Sequence, residues 1–146
     1  MKRRTLRGQV TEGEVKRLIV DDGRLNHGYK VVSFVIAGSD FTGAAHDCFG
    51  TLSLDYDSPL TWDWGDNRQI GWASTANYRL GALDAPFTVL DPDHVVIMDL
   101  YIQGQVSGST AGGSQINYLI ELEPVELSND QAILSLIKER SQDDLR

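Results

Sequence analysis

Cysteine occurs once in this 146-residue sequence, at Cys48, so no disulfide can close within the chain. A single thiol fits a reducing compartment, or a particle assembled in one. Histidine is almost as scarce. His27, His46 and His94 with one cysteine fall short of a zinc pattern. No apolar run approaches the roughly 20 residues needed to span a bilayer. The opening MKRRTLRGQV lacks the apolar stretch of a secretion signal, and no N-x-Ser/Thr sequon occurs. These absences predict a protein made and used without secretion and without a membrane.

Catalytic motifs are missing too. There is no Walker loop, G-x-G-x-x-G or H-E-x-x-H. The nearest approach to a nucleophile elbow, Gly108-Ser109-Thr110-Ala111-Gly112, has threonine at the nucleophile position. His46 and Cys48 share a strand face and could form a base and nucleophile. A cysteine opening an apolar strand is more often a buried small side chain. Asp55, Asp57, Asp63 and Asp66 have the oxygen chemistry that calcium wants. They lack the EF-hand register, and aspartate is favoured in turns anyway. No catalytic residue, metal or cofactor is assigned.

Basic residues are concentrated at one end. The formal net charge is −8, yet residues 1–30 hold eight Lys/Arg against four Asp/Glu. Residues 31–127 hold two Arg against thirteen acids, and the rest is near neutral. A basic arm over residues 1–7 on an acidic body can touch nucleic acid or an acidic neighbour. As plain solvated charge on an edge strand it would discourage aggregation.

What remains is mostly of period two. Composition is that of a globular domain, with 41% hydrophobic and 23% charged residues. A chain this long buries roughly 70% of its unfolded surface, enough for one core. Leu6, Gly8 and Val10 alternate with Arg7, Gln9 and Thr11, and Val15 to Val20 follows a short turn, so the two are expected to pair as a hairpin. Further strands are predicted at Tyr29 to Ala37, Cys48 to Tyr56, His94 to Val106 and Gln115 to Glu123. Leu60 to Trp64 and Gln69 to Ser74 read as shorter ones, and 76–86 as a long loop. The Gly/Ser-rich stretch 107–114 reads as an exposed hairpin tip. The period then changes. Ser128-Asn129-Asp130-Gln131 has the capping-box form, and Ala132, Ile133, Leu136 and Ile137, with Leu134 beside them, make a helical stripe. Lys138 and Arg140 suit the C-terminal end of that helix. The expectation is a single mainly β domain over 1–146, an antiparallel β-sandwich or jelly-roll-like fold closed by one C-terminal α-helix over 128–142.

Aromatic residues cluster at Trp62, Trp64 and Trp72, with Tyr56 and Tyr78. On a strand, Trp62 and Trp64 would put both rings on one face. Buried, they fill a core. Exposed, they form an interface hot spot or stack on sugar rings. The expected interface residues are Lys2, Arg3, Arg4, Arg7, Trp62, Trp64, Ile133, Leu136 and Ile137.

The segments TEGEVKRLIVDDGRLNHGYKV, TWDWGDNRQIGWAS, DPDHVVIMDLYIQGQV and DQAILSLIKERSQDDLR together resemble a family of small structural, head-associated virion proteins of marine tailed bacteriophages. The resemblance covers nearly the whole chain and carries no catalytic residue. It implies a capsid decoration or cement protein located in the virion. Its expected partner is the major capsid protein or another virion protein. The C-terminal stripe and the aromatic faces offer more apolar surface than one small sandwich needs, so a homo-oligomer is expected, with a trimer favoured. Duplex nucleic acid is not an expected partner. The rival readings are a β-sandwich module for glycans or a host surface, and a small hydrolase using His46 or the Asp cluster. The main shell subunit is a third possibility, for which 146 residues is short.

Overall fold

The structure is a computed structural model that describes residues 2–21, 23, 26–39, 46–78, 82–83, 87–107, 114–128 and 134. Among these residues it is mainly β. The strands are β1 (Arg4–Thr11), β2 (Val15–Ile19), β3 (His27–Gly38), β4 (His46–Ser53), β5 (Gln69–Tyr78), β6 (Ala82–Leu83), β7 (Phe87–Leu90), β8 (Asp99–Ser107) and β9 (Gln115–Glu126). Their alternating side chains put one apolar row on a shared core. Phe34, Ile36, Leu52, Leu100, Ile102, Ile116, Ile120 and Leu122 are all fully buried there.

Two antiparallel sheets face each other across that core. The smaller runs β1-β9-β3; the larger runs β2-β8-β4-β5-β6, with β7 also pairing with β5. The pairing is nested, first strand with last. β1 pairs with β9, β2 with β8, and β4 with β5. The chain is therefore a long folded ribbon rolled on itself.

Neither expected hairpin forms. β1 and β2 belong to different sheets, and so do β8 and β9. The turn after β1 is tight, with Glu14 N–H donating to the Thr11 carbonyl at 3.1 Å and Gly13 at φ 79. That turn bends one long strand from sheet to sheet instead of folding it back. The ladder Arg4↔Leu122 to Thr11↔Gln115 in the smaller sheet is followed by the ladder Val15↔Gln103 to Ile19↔Asp99 in the larger. Strands that switch sheets at a bend make such corners. A turn signal fixes a reversal or a corner equally well, and the long-range ladders decide which one forms.

Glu12 holds the corner together. Its carboxylate accepts from Gln105 Nε2 (3.1 Å), Val106 N (3.4 Å) and Ser114 N (3.3 Å), while its own N–H donates to the Ser114 carbonyl at 2.9 Å. Gly104 lies beneath. A Cβ there would stand 2.7 Å from Ile116 Cδ1 and 2.8 Å from the Phe49 carbonyl oxygen.

The sides of the molecule are closed by side chains. On one side, the Thr75 and Thr88 hydroxyls of the larger sheet donate to the Ile36 and Phe34 carbonyls on β3, the latter at 2.7 Å. On the other side, Arg4 donates to the Val20 and Ile19 carbonyls at 2.9 and 3.1 Å and lies over the Tyr29 ring. Lys16 donates to the Gln9 carbonyl and lies over the Tyr118 ring. Residues 4–7 of the expected free arm are thus the first half of β1.

Other boundaries differ from expectation. Leu60 to Trp64 forms no strand. Cys48 to Tyr56 stops pairing at Ser53, and β8 starts only at Asp99. The loop expected over 76–86 contains the end of β5 and all of β6. The C-terminal helix expected over 128–142 lies outside the described residues, apart from Ser128 and an exposed Leu134.

Gly104→Ala is expected to overpack the corner and destabilise the fold by about 1–3 kcal/mol. Urea denaturation checks this. An unchanged midpoint would mean that the corner can relax around the extra methyl.

Candidate binding surface

The outer face of the larger sheet is where the chain concentrates its exposed aromatic rings. The register puts Phe49, Ser74 and Phe87 side by side across β4, β5 and β7, and Thr51, Trp72 and Val89 in the next row. The connection between β4 and β5, residues 54–68, folds back over these rows as a third layer.

Loop aromatics meet sheet aromatics in pairs. Trp62 stacks on Phe87 (centroids 6.0 Å apart, planes at 19°) and meets the edge of Phe49 at 6.1 Å. The small side chain of Ser74 lies in register between those two phenyl rings. Trp64 leans on Trp72 at 5.9 Å, and Tyr56 meets Tyr101 edge to face at 6.1 Å. Such geometries add about 0.5–1.5 kcal/mol per pair beyond the area they bury.

A segment without a strand ladder must satisfy its backbone in another way. Here glutamine side chains do so. Gln69 Nε2 donates to the Pro59 and Thr61 carbonyls at 3.1 and 2.9 Å. Gln69 Oε1 accepts from the Asp63 N–H (3.0 Å) and Trp72 Nε1 (2.8 Å). Gln103 Nε2 donates to the Ser58 carbonyl at 2.7 Å, and the Thr51 hydroxyl donates to the Leu60 carbonyl at 3.4 Å. This explains why Leu60 to Trp64 is not a strand. Its Leu60 and Thr61 carbonyls point at side chains beneath it, and the Asp63 carbonyl accepts from the Asp66 N–H in a turn.

The tryptophans therefore divide. Trp72 is core at 6% exposure, Trp62 is half-buried between two phenyl rings, and Trp64 presents 64% of its surface. Tyr56, Phe49 and Phe87 are exposed beside them. Phe49, Phe87, Gln69 and Gln103 were missed by the sequence reading. Phe49 carried a signal, because it alternates outward with Thr51 and Ser53. Gln69 and Gln103 carried none, since their role depends on a loop distant in sequence.

Two aspartates of this loop meet a guanidinium. Arg68 bonds Asp66 through Nε (2.9 Å) and Nη2 (2.7 Å), and its Nη1 lies 3.5 Å from buried Asp55. Asp55 Oδ1 also accepts from Asp57 N–H, and Asp63 Oδ1 from Gly65 N–H. Hydrogen bonding from Arg68 holds Asp66 below the usual carboxylate range, and Asp66 in turn raises Arg68. Two of the four expected calcium candidates, Asp55 and Asp66, thus already meet a cation that the chain supplies itself, while Asp57 and Asp63 are exposed. Among the described residues no group of three His, Cys, Asp or Glu gathers as a metal would need.

Cys48 is 1% exposed, and burial pushes its thiol up to about 11. It is protonated at neutral pH and shielded from substrate, which removes the nucleophile from the His46–Cys48 reading. The His46 side chain lies outside the described residues.

Of the basic residues expected at an interface, Lys2 and Arg7 are exposed, and Arg3 is exposed 3.8 Å from Glu121. Arg4 is turned inward onto β2. These residues lie on the β1–β2 edge, away from Trp62 and Trp64. Ile133, Leu136 and Ile137 lie outside the described residues. No helix among the described residues is long and apolar enough to cross a membrane. No protein-family model, curated protein or solved structure matches this chain.

Gln69→Leu is expected to leave the Trp72 indole N–H, the Asp63 N–H and two loop carbonyls without their partner. The cost should be about 1–3 kcal/mol for each group kept from water, with a red shift of tryptophan emission as the loop lifts. Emission and stability unchanged from the parent would show that the aromatic pairs hold the loop alone. The Asp66–Arg68 pair sets an acid limit as well. Asp66 is depressed when folded, so its contribution is complete above the ordinary carboxylate value near 3.9 and is lost as pH falls below it. Asp66→Asn should flatten that part of the stability–pH profile, and an identical acid limb in the variant would assign it to other carboxylates.

Proposed function

We propose that this chain is a structural protein of a tailed-phage virion, attached to the capsid shell as a decoration or cement protein and working as a homo-oligomer. The observation that carries the reading is the aromatic layer on the outside of the larger sheet. Phe49, Tyr56, Trp64 and Phe87 are exposed together on a surface braced from below. Aromatic residues on a rigid support are the usual energetic centre of protein interfaces.

The strand order supports the same reading. β2-β8-β4-β5 in one sheet and β1-β9-β3 in the other, with β7 hydrogen-bonded through Thr88 to β3, is the wrap of a jelly roll. Viral capsid domains use that fold, and so do lectins. Fold likeness raises the prior for a function without assigning it. The segment-level resemblance to head-associated virion proteins points to the shell. Many copies on a symmetric lattice turn modest contacts into firm attachment. The C-terminal stripe at Ile133, Leu136 and Ile137 belongs to this reading as a helix that closes the sheet or meets a neighbour.

One observation favours a second reading. Trp64, at 64% exposure with a second indole behind it, has the form of a platform for a sugar ring, which suits a glycan-binding module of the virion.

Mass spectrometry and imaging of purified particles test the proposal. The expected result is the chain at fixed stoichiometry on the head. Its absence from particles that infect normally would overturn the assignment.

A further inference from the structure

Charge is unevenly distributed over the two sheets. Residues 2–17, which form the β1–β2 edge, carry six Lys/Arg against Glu12 and Glu14. The described residues between 46 and 93 carry seven Asp, against which stands Arg68, already held by Asp55 and Asp66. β2 is at one edge of the larger sheet; β7, on the far side of β5 from β4, is at the other. Lys2, Arg3 and Arg7 lie on or just before β1 of the smaller sheet, whereas Tyr56 and Trp64 belong to the loop that covers the larger sheet. The basic residues and the exposed rings are thus on different surfaces.

The two surfaces are complementary in chemistry as well as in sign. Exposed Asp57 and Asp63 adjoin Tyr56 and Trp64 in the loop, so bare ring faces lie within an acidic field. A cation over an aromatic face in such a field gains from both the ring and the carboxylates. The fold already uses this contact twice, with Arg4 over Tyr29 at 5.8 Å and Lys16 over Tyr118 at 5.3 Å. Lys2, Arg3 and Arg7 are exposed on the same edge.

We propose that copies of this chain associate head to tail, the Lys2, Arg3 and Arg7 edge of one seated on the Tyr56–Trp64 face of the next. This rests on the assembly reading above and specifies its self-contact. Each copy contributes two different surfaces, so the contact is heterologous. It closes as a ring or extends as a chain, and it does not stop at a two-fold dimer. The acidic setting selects against anionic glycans and nucleic acid on the same face.

Sedimentation of the full chain at micromolar concentration tests this with two variants. One carries Lys2→Ser, Arg3→Ser and Arg7→Ser; Arg4 is kept because it bonds β2. The other carries Tyr56→Ser and Trp64→Ser. The parent should be oligomeric at low salt and at least tenfold weaker in self-association at 0.5 M salt, because screening acts over a few ångströms there. Each variant alone should lose at least tenfold in association constant. An equimolar mixture should give a 1:1 heterodimer and nothing larger, since a mixed pair keeps one intact junction. Asp57→Lys with Asp63→Lys leaves every ring in place and should weaken the parent similarly, which covers the case where loss of Trp64 unfolds the loop. A monomeric parent, a mixture that stays monomeric, or variants that assemble like the parent would overturn the proposal. So would a neutral oligosaccharide that quenches Trp64 emission without displacing a neighbouring copy. Particle composition is read separately. The chain present on particles with no head-to-tail contact sinks this inference and leaves the virion reading standing; the converse sinks the virion reading alone.

Discussion

The corner at Glu12 is the constraint on which the architecture depends, because two long strands must leave one sheet and enter the other at the same height. Backbone groups lose their ladder partners wherever a strand turns away, and unpaired groups inside a protein cost about 1–3 kcal/mol each. One carboxylate meets that demand by accepting from both stems of the β8–β9 connection. Gly13 and Gly104 supply the other requirement, a backbone able to bend and approach closely. With the corner fixed, the nested pairing of β1 with β9 and β2 with β8 follows, and the core residues of both sheets meet in register.

The outer layer obeys a different rule. The β4–β5 connection buries aromatic area without belonging to a sheet, so its carbonyls need donors that come from below. Gln69 and Gln103 are uncharged, and each reaches upward with an amide. At the loop base Arg68 gathers Asp55 and Asp66, while Asp57 and Asp63 keep their charge on the exposed side. The result is an aromatic surface on rigid support, which loses little conformational entropy when something binds to it.

Period-two alternation made β1, β3, β4, β8 and β9 legible in the sequence because each has one face on the core. Connectivity was not legible. The turns after β1 and β8 have the composition of hairpin turns, and only competition with partners roughly a hundred positions away sends each strand to the other sheet. Trp62-Asp63-Trp64 alternates like a strand, yet Pro59 and Gln69 hold its neighbourhood as a loop. Phe87 to Leu90 is short, and the sequence reading passed over it. Of the candidate surface, Trp62 and Trp64 were found from the sequence, whereas Phe49 and Phe87 needed the register that brings them together. The basic cluster was visible as composition, but the inward turn of Arg4 depends on β2 being in the opposite sheet.

Glu12 has a further effect on how the chain can change over evolutionary time. By gripping Val106 and Ser114, it fixes the two ends of the β8–β9 connection independently of what lies between them. Lengthening a connection whose ends are already fixed costs little, since closure entropy grows only with the logarithm of length. Residues between those anchor points can therefore vary in number and composition while the sheets keep their register. The corner separates what holds the two sheets together from what lies between the two anchors, and one glutamate marks the boundary between them.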